Sequence, residues 1–107
     1  MTSKVIRGKK YDTSKSEEIA NWSNVLGARD FHHCEETLYR TKNGSYFLVG
    51  SGGPMSKYSR AIGQNQWSGD SDVFRVLDRE QALLWCEQKG VSTAVIEREF
   101  ADMLEDG

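Results

Sequence analysis

Asn43-Gly44 stands between two runs of aliphatic and aromatic residues, Thr37-Leu38-Tyr39-Arg40 and Tyr46-Phe47-Leu48-Val49. Asn and Gly accept the positive φ of a tight reversal, so residues 36–50 predict two antiparallel strands joined by a short loop. Two registers compete. A two-residue Asn43-Gly44 loop sets Arg40 opposite Phe47 and gathers Tyr39, Thr41, Tyr46 and Leu48 on one face. A three-residue Lys42-Asn43-Gly44 loop, with Gly44 as the bulge residue, sets Tyr39 opposite Phe47. It groups Thr37, Tyr39, Phe47 and Val49 against Leu38, Arg40, Tyr46 and Leu48. A slip of one residue exchanges the faces. The second register is preferred, because the Tyr39/Phe47 pair then shares a face with Val49. Both faces carry apolar groups in either case, which predicts a central place in the sheet.

The flanking segments read more coarsely. Val5 and Ile6 with Lys10 and Tyr11 predict a short strand pair, or one bent strand, over 4–12, turned at Gly8-Lys9. Asp12, Thr13 and Ser14 are competent helix caps. Ile19, Trp22 and Leu26, with Val25 beside them, form an apolar stripe at helical spacing, so a helix is expected from about Ser14 to Val25, stopped by Gly27. Trp22 reads as a core anchor of that helix. Gly50-Ser51-Gly52-Gly53-Pro54 is expected to break the strand, and residues 55–72 read as an irregular polar loop. Within it, Lys57, Tyr58 and Arg60 could share one helical turn. Val73–Leu77 predicts a third main strand. Asp78 and Gln81 have capping-box spacing ahead of a helix that ends at Lys89-Gly90 and buries Cys86. A last helix starts near Ser92 or Thr93, with Ile96, Phe100, Met103 and Leu104 inward and Glu97-Arg98-Glu99 toward solvent. The expected fold is α+β: one domain over 1–107, frayed at 1–3 and 105–107. A small antiparallel sheet built on the 36–50 hairpin carries one helix from the N-terminal half and two C-terminal helices.

Composition narrows the function classes. The chain has 107 residues with 14 basic and 16 acidic side chains, a net charge of −2, so no global basic field drives nucleic-acid binding. Cys34 and Cys86 are too few for a disulfide framework. No apolar run reaches the roughly 20 residues of a membrane-spanning helix, and the opening Met1-Thr2-Ser3-Lys4-Val5-Ile6-Arg7 carries no apolar signal segment. A cytoplasmic protein with reduced thiols, away from the membrane, is the expectation.

Chemistry-bearing residues concentrate in Phe31-His32-His33-Cys34-Glu35-Glu36. Zinc sites pair such clusters with a second one, and here only the distant Cys86 remains, so no metal is expected. His33 and Cys34 are neighbours on an extended segment and point to opposite sides, which makes no dyad. The alternative reading of the segment is structural, with Phe31 packed inward and the histidines at a strand start. The glycines at 50–53 lack the Gly-Lys-hydroxyl ending of a phosphate-binding loop, and no cofactor is expected. The chain reads as a non-enzyme.

The opening Val5-Ile6-Arg7-Gly8-Lys9-Lys10-Tyr11-Asp12-Thr13 and the run Asp30-Phe31, then Cys34 through Leu48, together with Gly52-Gly53-Pro54, resemble small uncharacterised bacterial accessory proteins. Such proteins occur in phages, plasmids and other mobile elements. The resemblance spans about residues 4–100. It implies a mobile-element setting, in which small proteins often act by binding and one subset blocks host defence systems such as CRISPR effectors. It transfers no functional residue.

Two functions follow as expectations. The first is an interaction module that binds a larger host or element protein, or a nucleoprotein complex, through Tyr58, Arg60 and Trp67, with Lys57 supplying charge. In the competing reading Trp67 folds back as a lid on the core. The second function is a nucleic-acid-binding accessory protein using Lys57, Tyr58 and Arg60 with Arg40 and Lys42 at the hairpin tip, where Tyr46 could stack on bases.

Overall fold

The computed structural model describes residues 2–24, 32–53, 58, 60–63, 66–68 and 70–107, apart from the side chains between 60 and 72. Among these residues, eight strands and two α-helices follow in order: β1 (Ser3–Ile6), β2 (Lys9–Asp12), β3 (Glu17–Ser23), β4 (Cys34–Arg40), β5 (Tyr46–Gly52), β6 (Arg60–Gly63), β7 (Gln66–Ser68), β8 (Asp70–Leu77), α1 (Arg79–Gln88) and α2 (Thr93–Phe100). The main sheet is antiparallel with order β3-β4-β5-β8, and β1-β2 and β6-β7 form two separate hairpins. The protein is α+β, with the 36–50 hairpin in the middle of its sheet. No helix among the described residues is long and apolar enough to cross a membrane.

The hairpin adopts the three-residue loop. Tyr39 stands opposite Phe47, and Arg40 opposite Tyr46. The Gly44 amide donates to the Thr41 carbonyl at 3.0 Å and the Thr41 amide donates to the Ser45 carbonyl at 2.8 Å. Gly44 takes φ +84°, a left-handed conformation suited to glycine. This register gives each face its own core. On one face, Leu38, Tyr46, Leu48 and Leu77 pack with Ile19 against Ala82, Trp85 and Cys86 of α1 and Phe100 of α2. On the other, Phe47 and Phe74 pack with Tyr11 of the β1-β2 hairpin, beside Ile6, Tyr39 and Val49. Phe47 is fully buried there. Its ring lies 5.4 Å from that of Tyr11, 5.2 Å from Tyr39 and 5.6 Å from Phe74.

The largest correction concerns the helix expected from about Ser14 to Val25. Asp12 does cap, with its side chain accepting from the Ser14 amide, but the turn it caps is a single 3₁₀ turn over Thr13–Lys15. Glu17–Ser23 is then a strand. Ile19, Ala20 and Trp22 all reach the helix-side core, because a bulge between Glu18 and Ala20 gives Ile19 a place on that face. Cross-strand partners decide the matter. Glu17 stands opposite Arg40 and pairs with it, and Asn21 stands opposite Thr37, whose hydroxyl accepts from its amide at 2.7 Å. Asn21 and Ser23 are also weak helix formers. The expected helix end at Val25–Gly27 and the inward Phe31 lie outside the described residues. Among the described residues, two α-helices, both C-terminal, cover the sheet.

Smaller corrections follow. Gly50, Ser51 and Gly52 continue β5 and do not break it, and the Gly53 amide donates to the His33 carbonyl at 2.9 Å. The polar 55–72 stretch contains β6, β7 and the first part of β8, so Arg60 begins a strand and does not share a helical turn with Tyr58. Glu99 is buried, unlike its exposed neighbours Glu97 and Arg98. Its carboxylate accepts from Arg40, which brings the far end of the hairpin onto α2. Leu104, expected inward on the last helix, is exposed, because α2 ends at Phe100 and a 3₁₀ turn over Ala101–Met103 follows it. The turn expected at Gly8-Lys9 lies one residue earlier: Arg7-Gly8 turns β1 into β2, both residues at positive φ, and Lys9 already begins β2. Asp78 and Gln81 form the capping box, Gly90 at φ +67° follows the end of α1, and Ser92 caps α2.

Two measurements check this packing. Phe47→Ala removes the ring at the centre of the hairpin-side core, and urea unfolding should show a loss of about 3–5 kcal/mol. Burial, aided by the charges of Glu99 and Glu87, pushes the Cys86 thiol up to about 11. A thiol held neutral by folding contributes stability that is complete below its unfolded value near 9 and declines as pH rises through about 11. Cys86→Ala should flatten the stability profile across that interval.

Candidate functional site

The titratable and hydrogen-bonding side chains converge on Glu36. It lies on β4 opposite Gly50 of β5 and Trp22 of β3, on the face that the helices cover. That placement makes it fully buried. A carboxylate taken out of water is costly unless its oxygens are satisfied. Here Oε2 accepts from the Tyr58 hydroxyl. Oε1 accepts from Trp85 Nε1 at 3.3 Å and lies 3.4 Å from Lys89 Nζ. Lys89 also sits over Trp22, its Nζ 3.8 Å from the ring centroid, a cation–π contact. Burial first, and then the hydrogen bond to Glu36, push the Tyr58 phenol far above its ordinary value.

The backbone makes room for this arrangement at one position. A Cβ on Gly50 would stand 2.1 Å from Tyr58 Cζ, so only glycine lets the tyrosine ring lie on β5. The group that approaches the glycine-rich exit of the hairpin is Tyr58 of the same chain. Chemically the cluster is a closed hub. A general base must reach the proton it takes, whereas the Glu36 carboxylate is walled in by its own donors.

The other candidate chemistry is dispersed. His32 is exposed, Cys34 is buried, and His33 Nε2 lies 3.6 Å from Glu35 Oε1. Among the described residues no group of three His, Cys, Asp or Glu side chains is placed to hold a metal.

Of the four expected binding residues, Tyr58 is half-buried with its hydroxyl tied to Glu36, so it belongs to the hub. Arg60 pairs with Ser68, and Trp67 with Ala61, across the β6-β7 hairpin. Lys57 lies outside the described residues. The structure thus places Arg60 and Trp67 on one hairpin and sets Tyr58 apart in another role. At the tip of the central hairpin, Arg40 is engaged by Glu17 and Glu99. The Tyr46 hydroxyl lies 3.4 Å from Glu99 within the core, out of reach of a nucleobase.

A surface that the sequence reading did not single out lies on the opposite face of the sheet. The β1-β2 hairpin covers Phe47 but leaves a groove of about 450 Å³ beside it, lined by Ile6, Arg7, Lys9, Tyr11, Phe74 and Val76. Its apolar wall continues to the surface at Val76, which is 39 % exposed. Arg7 and Lys9 supply positive charge at its rim. In sequence only Ile6 and Tyr11 with the basic Arg7, Lys9 and Lys10 between them are visible, and only the fold shows that β8 supplies the other wall.

Comparison of the chain with protein-family models, curated proteins and solved structures finds no match.

One substitution tests the hub. Gly50→Ala should displace Tyr58 and cost about 1.5–3 kcal/mol, the range of a hydrogen bond to a charged group. Once the ring is displaced, adding Tyr58→Phe should cost nothing more. Additive losses in a double-mutant cycle followed by urea unfolding would show that the two positions are independent.

Proposed function

We propose that this protein is a small non-enzymatic interaction protein of a mobile element, binding a larger host or element protein or nucleoprotein complex. The observation that carries the reading is the groove between the β1-β2 hairpin and β8. It combines an apolar floor of Ile6, Tyr11, Phe74 and Val76 with the cations Arg7 and Lys9, on the face that the helices leave uncovered. Apolar and aromatic contact with arginine at the margin is the composition of protein-binding hot spots. The closed state of the Glu36 hub supports the non-enzymatic half of the proposal. The mobile-element setting rests on the resemblance of segments 5–13, 30–31, 34–48 and 52–54. Within that setting, inhibition of a CRISPR-type defence system is the activity proposed.

The nucleic-acid reading is the weaker one. It loses Tyr58 to the hub and Arg40 to its two carboxylates. The pocket at the hairpin tip that holds Lys15 and Lys42 also contains Glu17.

Expression of the chain beside a panel of CRISPR effectors, scored by plasmid interference, tests the activity. Affinity capture with the chain as bait, followed by reconstitution from the purified partner, tests the surface. Val76→Asp should weaken the reconstituted complex about tenfold or more, while Glu80→Lys on the helix side should not. No reconstituted partner, or a complex indifferent to Val76→Asp, would remove the proposal.

A further inference from the structure

The main sheet has two edge strands, and they differ. β3 is bulged at Ile19 and carries Glu17 and Glu18, features that blunt an edge. β8 has a register shift of its own near its start, between Asp70 and Val73, but from Val73 to Leu77 its pairing with β5 is regular, and among the described residues it is paired on one side only.

The ladder shows which of its groups face outward. Thr41 bonds Ser45, so by antiparallel alternation Tyr39 bonds Phe47, and the backbone groups of Tyr46 and Leu48 turn toward β8. Tyr46 and Leu48 stand opposite Leu77 and Arg75, whose backbone groups they meet. The amides and carbonyls of Phe74 and Val76 therefore point to the open edge. The Phe74 and Val76 side chains face the groove.

Resting on the interaction reading above, we propose that β8 takes up an extended, acidic segment of the protein partner as a fifth strand. Main-chain groups turned outward call for a peptide, since a nucleic acid cannot continue the ladder. The charge around the edge specifies which peptide. Arg7 and Lys9 stand on the hairpin side of β8. Arg75 stands on the helix side, in a depression it shares with Leu84 and Lys89. Arg7, Lys9 and Arg75 form no ion pair among the described residues. A strand laid along β8 thus meets cations on both faces, with the apolar groups Tyr11 and Val76 on one and Leu84 on the other. Acidic residues interspersed with β-branched ones complement that surface. A second copy fits less well. The register that joins Phe74 to Val76 of the other copy sets Arg75 against Arg75, and like charges directly opposite destabilise a strand pair.

The probe is a fluorescent peptide of about ten residues alternating Glu and Val, a length matched to an ordinary strand, with a Lys/Val peptide as control. At saturation the Glu peptide should slow hydrogen exchange at the Phe74 and Val76 amides about tenfold or more. Val76→Pro removes one outward donor without touching the bonds to β5. The charge-reversed pair Arg7→Glu and Lys9→Glu is a second variant that leaves the backbone alone. Each should weaken the Glu peptide about tenfold or more, and the Lys peptide should not bind. Three outcomes would overturn the proposal: peptide binding that leaves those amides unprotected, a dimer that protects them without peptide, or an oligonucleotide that protects them as the peptide does. A partner that binds wild type and Val76→Pro equally would end the strand-addition idea and leave the interaction reading standing. Failure to find any partner would end that reading itself.

Discussion

A single buried carboxylate ties the covered side of this fold together. Glu36 sits on a central strand where water cannot reach it, and its oxygens are answered by Tyr58, Trp85 and Lys89. These donors come from the segment ahead of β6 and from the C-terminal half of α1 and its cap. Through the contact of Lys89 with Trp22, β3 is held in the same arrangement. The energetic asymmetry of buried polar groups explains why this matters. A complete set of partners roughly offsets the cost of desolvation, whereas the loss of one leaves the whole penalty standing. Apolar packing alone would permit the helix to slide or rotate on the sheet. A carboxylate whose donors arrive from different elements fixes both angle and register.

The same logic operates at the far end of the hairpin. Glu99 on α2 is buried under Arg40, which also reaches Glu17 on β3. Between these two anchors lies the aliphatic and aromatic core of Leu38, Leu48, Leu77 and Phe100. The two helices are thus held on the sheet by one carboxylate of the sheet bonded to α1 and one carboxylate of α2 bonded to the sheet.

What could be read in the sequence follows from how local each signal is. The hairpin register is set by Asn43-Gly44 and by the aromatic residues a few positions away, and α1 by Asp78 and Gln81 three residues apart; both were legible. The strand Glu17–Ser23 was not. Ile19, Trp22 and Leu26 have helical spacing, and the contrary information resides in partners such as Arg40, Thr37 and Glu36, more than a dozen residues distant. Glu99 misled for the same reason, since its neighbours are solvent-facing charges and its partner Arg40 is 59 residues away. Gly50 was half legible. The run of glycines stood out in the sequence, but nothing local said that Tyr58 would lie against Gly50. The groove was invisible in sequence because its two walls, on β1-β2 and on β8, come from segments far apart in the chain.

The sheet also partitions charge. Residues 1–16 carry five basic side chains and one acidic, while residues 78–107 carry three basic and eight acidic. The hairpin of the first segment packs on one face of the sheet and the helices of the second on the other. A net charge of −2 therefore conceals an electric dipole directed across the thickness of the sheet. In the field of a negatively charged body such a molecule turns before it touches, presenting its N-terminal hairpin first. Within a Debye length of about 8 Å at physiological salt this torque biases the orientation of encounter, and so acts on the rate of arrival more than on the strength of the complex.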